Sequence, residues 1–126
     1  NRIRNYNFNL HLDFFNKFQE YFITPKIDKS VKTNFLAYPV ILKKNKFFNR
    51  KKLQIYLENN NIQTRTIFTG NILKQPVMKN KKFKYHKNCN TVADDVMKNG
   101  ILIGCHQGMN ISDINFICKK FHKFIN

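Results

Sequence analysis

The chain has 126 residues and carries 23 Lys and Arg against 7 Asp and Glu, a net charge of +16 with a pI near 10.0. Its 42% hydrophobic content with 13 Phe and 5 Tyr excludes the aromatic-poor composition of a chain that stays disordered, and predicts a single domain with one core. No apolar run approaches the length of a membrane-crossing helix, no signal-peptide pattern opens the chain, and Asn1 in place of Met reads as a cut end.

Residues 2–18 space Ile3, Tyr6, Leu10, Phe14 and Phe18 three or four apart, with Arg2, Arg4, Asn7 and Lys17 between them, which predicts an amphipathic helix. Thr24-Pro25 stops helical geometry, and residues 25–33 read as loop. The segment 34–43, NFLAYPVILK, is strand-like; Pro39, which lacks an amide donor, predicts an edge or a bulge there. Asn49 caps a second helix with Leu53, Tyr56 and Leu57 inside and Asn59-Asn60-Asn61 at its end. Residues 62–68 are rich in β-branched side chains and follow at once as a strand.

The next stretch, residues 70–90, has no clear period, and a loop that long is expected to be functional or to face a partner surface. Residues 92–97 read as a helical turn stopped by Asn99-Gly100, and residues 101–103 as a buried strand. Asn110 caps a last helix whose inner face is Ile114, Ile117, Phe121 and Ile125, with Lys119, Lys120 and Lys123 in water. The order helix, strand, helix, strand, loop, strand, helix predicts a small α/β sandwich with helices on one face of a short mixed sheet.

The charge makes nucleic acid the first partner to weigh, because basic side chains that neutralise phosphates release counterions. The excess is Lys scattered over several elements, only four of the 23 basic residues are Arg, and Asn is as plentiful as Lys. Bidentate reading of phosphates and bases needs Arg, so a background composition bias explains the charge better, and a free-standing basic α/β nucleic-acid-binding module is kept as the alternative. For a metal, His86, Cys89, Cys105 and His106 are the four candidates; Cys105 and His106 are adjacent and point to opposite faces of an extended segment. No metal is expected. The odd cysteine count fits a reducing compartment without a disulfide framework, Cys118 reads as a small core residue, and Cys105 has its neighbouring His badly placed to take its proton.

Two stretches put polar side chains and glycine at strand ends. In the first, Arg65 is the sole charged residue of its strand and calls for a carboxylate within the domain or a bound phosphate. In the second, Gly104 and Gly108 flank His106 and Gln107 just before the last helix, either as an eased turn or as a place where an anion approaches. Neither stretch names a reaction.

Taken together, TRTIFTGNILKQPVM, VADDVMKNGILIGCHQGM, NFLAYPVILK, FNRKKLQIYLENNNI and EYFITPK resemble the C-terminal small domain of the DegT-type nucleotide-sugar aminotransferases. These are fold type I pyridoxal-phosphate (PLP) enzymes, and the similarity is greatest to the branch of the CDP-4-keto-6-deoxyglucose 3-dehydrases and their GDP-sugar relatives. The resemblance implies that residues 1–24 are a connecting helix and strand from a large PLP domain and residues 25–126 the small domain. It implies PLP (or PMP) held mainly by that large domain, no catalytic residue in this chain, a nucleotide-diphosphate sugar as substrate, a cytoplasmic homodimer with no membrane partner, and a place in lipopolysaccharide or other surface-sugar synthesis. By position it carries substrate-binding roles to Arg65 (diphosphate or an acidic neighbour), Asn71 (sugar or backbone), and His106 with Gln107 (the border of the sugar pocket). The sequence departs from the family at GCHQGM, where typical members have a proline-rich loop, and at Asp95, where some dehydrases place a basic residue.

Overall fold

A computed structural model describes residues 2–28, 30–84 and 89–126, the side chains of Cys89 and Asn90 excepted. Among the described residues, four α-helices, α1 (Arg2–Phe15), α2 (Arg50–Glu58), α3 (Cys89–Asn99) and α4 (Ile111–Ile125), accompany four strands, β1 (Phe22–Ile23), β2 (Ala37–Leu42), β3 (Thr64–Thr66) and β4 (Gly100–Gly104). The sheet order is β1-β2-β4-β3. The expected α/β sandwich is present, but every strand pairing is antiparallel where a mixed sheet was expected.

Alternation along β2 buries Tyr38, Val40 and Leu42 and leaves Ala37, Pro39 and Ile41 half-buried on the opposite face. The buried set belongs to one core with Phe8 and Phe15 of α1, Leu53 and Leu57 of α2, and Ile117 and Phe121 of α4. Phe15 of α1 is central: its ring lies 5.3 Å from Tyr38, 5.1 Å from Phe22 and 4.9 Å from Phe121, and such pairs add about 0.5–1.5 kcal/mol each beyond area burial. Ile114, Ile117 and Phe121 of α4 are buried, as its spacing predicts. Asn49 accepts from Lys52 N, and Asn110 with Asp113 completes a reciprocal capping box.

Three expectations are corrected. The buried face of α1 is Asn7, Phe8, His11 and Phe15, whereas Ile3 and Tyr6 of the apolar stripe are 52% and 50% exposed. The later stripe residues Phe14 and Phe18 do pack partly against the core, but the most buried side is rotated from the stripe, because polar partners for Asn7 and His11 come from the far end of the chain. Pro39 does not put β2 at the sheet edge; the strand lies between β1 and β4. However, β1 pairs only with Ile41 and Leu42, so at Pro39 the strand has β4 alone beside it and the missing donor is tolerated. The period-free stretch is also shorter than expected, since α3 starts at Cys89 and 3₁₀ turns occupy Ile72–Lys74 and Pro76–Met78.

Candidate functional site

The strand register builds the site. Arg65, Leu102 and Pro39 are successive Cα partners across β3, β4 and β2, so their side chains share the face turned away from α1, α2 and α4. A groove of about 700 Å³ lies over this row. Its walls are mostly apolar, with Phe35, Leu36, Ile67 and Phe68 among them, and polar side chains come from Thr33, Asn34, Gln63, Arg65 and His106. Phe68 is 83% exposed and holds a φ of 45°, a backbone geometry that a bulky side chain seldom adopts, on the rim beside Arg65.

Arg65 is exposed and has no ion pair or side-chain hydrogen bond among the described residues. The internal salt bridge that its strand position allowed is therefore not made among them. His106 is exposed at the same groove, and its Nδ1 accepts from the Gly108 amide at 3.1 Å. In the neutral ring that bond leaves the proton on Nε2.

The other two residues carried by position lie elsewhere. Gln107 does not line the groove; its Oε1 accepts from Arg4 Nε at 2.6 Å. Asn71 is 2% exposed, accepts from the Leu73 amide at 3.0 Å and donates to Asp94 at 2.8 Å. Asp94 also receives Lys74 Nζ at 2.5 Å, and the Lys74 and Asn71 hydrogen bonds hold its carboxyl below the usual carboxylate range. Asn71 thus ties the 3₁₀ turn at Ile72–Lys74 to α3, away from the groove.

Cys105 and His106 point oppositely, as adjacency on an extended segment requires: the thiol is buried and the imidazole exposed. Burial pushes the Cys105 thiol up to about 11 and the half-buried Cys118 likewise to about 11, so neither offers a thiolate nucleophile at neutral pH. Among the described residues no group of three or more His, Cys, Asp or Glu could hold a metal ion; His86 lies outside the described residues, as does the side chain of Cys89.

Two residues of α1 outside its apolar stripe bear on the site. Asn7 Nδ2 donates to the His106 and Met109 carbonyls at 3.1 and 3.0 Å, and His11 Nε2 lies 2.9 Å from the Gly104 carbonyl. A carbonyl only accepts, so Nε2 carries the proton and Nδ1, which has no partner among the described residues, is the bare nitrogen. Burial, opposed by that one hydrogen bond, brings the imidazole down from 6.5 to about 4.

The fold is an α/β sandwich whose sheet carries a candidate groove with Arg65 unpaired in it, and no nucleophile and base converge on the groove among the described residues. Residues 2–122 match the DegT/DnrJ/EryC1/StrS aminotransferase family, and the chain belongs to it. It is 27% identical over 105 residues to the lipopolysaccharide biosynthesis protein RfbH of Salmonella typhimurium, covering 83% of this chain and 24% of that protein. It is 29% identical over 105 residues to the GDP-4-keto-6-deoxy-D-mannose 3-dehydratase of Escherichia coli O55:H7, covering 82% and 27%. Among solved structures, the E. coli GDP-4-keto-6-deoxy-D-mannose-3-dehydratase with bound hydrated PLP superposes with a TM-score of 0.81 at 28% identity, over 94% of this chain and 30% of that one. An aminotransferase from Psychrobacter cryohalolentis shares the fold at a TM-score of 0.82 and 14% identity, over 99% and 35%. The chain therefore spans about a quarter of the curated relatives it matches.

Proposed function

We propose that this chain is the C-terminal small-domain portion of a PLP-dependent nucleotide-sugar aminotransferase or 3-dehydrase. Its substrate would be a nucleotide-linked 4-keto-6-deoxy sugar used in lipopolysaccharide or other surface-sugar synthesis. In this reading residues 1–24 connect from a PLP-bearing large domain, residues 25–126 form the small domain, and the complete protein is a cytoplasmic homodimer. The observation that carries a binding role is Arg65: a guanidinium with no carboxylate partner among the described residues, in the middle row of an apolar groove. Planar, always charged and a five-fold donor, it suits a diphosphate, while its cross-strand neighbour Leu102, with Phe35 and Leu36, gives the same groove apolar surface.

The groove does not fit PLP. Among the described residues its lining offers one guanidinium and no Lys, Asp or Glu, so these residues supply neither an amine for the aldehyde nor a carboxylate for the pyridine nitrogen. The cofactor would be held by residues outside this chain, and the role left to this portion is to orient the sugar nucleotide.

The complete protein, purified with added PLP and treated with borohydride, tests the class. Cofactor fixed covalently by the reductant indicates an active-site lysine and amino transfer; cofactor bound but never fixed indicates the 3-dehydrase; no bound cofactor overturns the reading. For the groove, Arg65→Ala should raise KM for a GDP-, CDP-, dTDP- or UDP-linked hexose by about 10- to 100-fold with kcat little changed, the loss expected for one charge-assisted contact made equally in ground and transition states. Arg65→Lys should recover part of it. An unchanged KM in Arg65→Ala removes the groove from the substrate site.

A further inference from the structure

Three polar residues of α1, Arg4, Asn7 and His11, sit three and four positions apart and so share one face of the helix. Asn7 and His11 are 1% and 0% exposed, in a layer otherwise made of Phe8, Phe15 and Tyr38. Burying an amide and an imidazole costs free energy unless each finds a partner. Both find theirs in the single segment 104–109, which links β4 to α4: Asn7 holds the carbonyls of His106 and Met109, and His11 holds that of Gly104. Arg4 extends the row to the Gln107 side chain. Within the segment, the Met109 amide donates to the His106 carbonyl at 3.1 Å, and the Gly108 amide fixes the His106 ring through Nδ1.

We propose that Arg4, Asn7 and His11 are positioning residues, a clamp by which α1 sets segment 104–109 and with it the placement of His106 at the groove. The inference rests on the reading of the groove as a ligand site. A hydrophobic α1 face would pack as well on Tyr38 but would leave three carbonyls of the segment without these donors and the turn around His106 held only by its own internal bonds. The clamp also ties the segment to α1, so that a displacement of the helix is carried to the groove.

The test uses the complete protein with Asn7→Ala, Arg4→Ala and Arg4→Lys, reading amide hydrogen exchange at residues 107–109, melting temperature, and KM and kcat for nucleotide-linked hexoses. Asn7→Ala should speed exchange at Gly108 and Met109 by about tenfold or more and raise KM by about tenfold, with kcat within about twofold, as expected for two lost hydrogen bonds that act through position. Arg4→Ala breaks an exposed contact, so it should raise KM less, at unchanged melting temperature, and Arg4→Lys should restore it. Unchanged exchange in Asn7→Ala, or faster exchange with KM unmoved in both Asn7→Ala and Arg4→Ala, overturns the clamp. Should Asn7→Ala fail to fold, Arg4→Ala decides alone: a raised KM that Arg4→Lys restores supports the clamp, and an unmoved KM overturns it. Arg65→Ala, which touches no clamp residue, separates the two ideas: silence there refutes the groove, whereas a raised KM there with silent clamp variants refutes only the clamp.

Discussion

His11 shows how one buried side chain makes the stability of the fold depend on pH. Its folded-state value lies near 4 against 6.5 when free, so between those limits the unfolded chain takes up a proton that the folded chain refuses. Stability from this group is full above pH 6.5 and is lost as pH falls toward 4, a total of about 3 kcal/mol from the shift in protonation free energy. Asp94 shifts downward from 3.8 and acts only below that window. His11→Gln keeps a donor for the Gly104 carbonyl and removes the titration, so urea midpoints measured from pH 7 to pH 4 should fall for the native chain and stay nearly level for the variant. Equal slopes for both would show that His11 is not the titrating group. The same residue marks the limit of what sequence shows about the site. Arg65 and His106 are legible as a lone charge and a glycine-flanked imidazole at strand ends, and both line the groove. Asn7 falls among the polar positions between the stripe residues and His11 carries no signal of its own, because their acceptors lie 93 to 102 residues away, and no local period encodes a partner at that distance.

At the scale of elements, the chain ends its helices where its side chains can take over the free backbone groups. Asn110 Oδ1 accepts from the Asp113 amide at 3.1 Å while Asp113 Oδ2 accepts from the Asn110 amide at 2.9 Å, satisfying two donors that the first turn of α4 leaves open. Asn110→Ala should cost about 1 kcal/mol, read as a lower urea midpoint at constant slope; a change of slope instead would mean that the cap also shapes the unfolded or native ensemble. Gly70 should tolerate less. Its φ of 64° disfavours any Cβ, and the added carbon would overlap Met97 of α3, so Gly70→Ala should lower the midpoint by more than Asn110→Ala does. Caps and turn residues of this kind, together with the α4 stripe, are local signals, which is why α2, α4 and the β4 core were legible in the sequence. The pairing direction of the sheet and the placement of Pro39 were not, since both depend on which strands meet after loops of different lengths have closed.

For the whole molecule the question is what the +16 charge does. Lys51 and Lys52 on α2 and Lys119 and Lys123 on α4 are exposed on the helical layer, the side of the sheet opposite the groove. Of the four arginines, Arg4 bonds Gln107 and Arg50 donates to the Met97 carbonyl at 2.7 Å, while Arg65 stands in the groove. No arginine cluster is left to grip phosphates bidentately, and lysines acting as separate point charges give attraction that is indifferent to sequence and easily screened. Fluorescence anisotropy with duplex and single-stranded DNA should therefore show weak binding at about 50 mM salt that falls steeply by about 200 mM, alike for unrelated sequences. A nucleotide-linked hexose should not compete, because groove and helical layer face opposite ways. Binding that survives the higher salt and prefers one sequence would instead support the nucleic-acid module and would make the helical layer, not the groove, the working face of this fold.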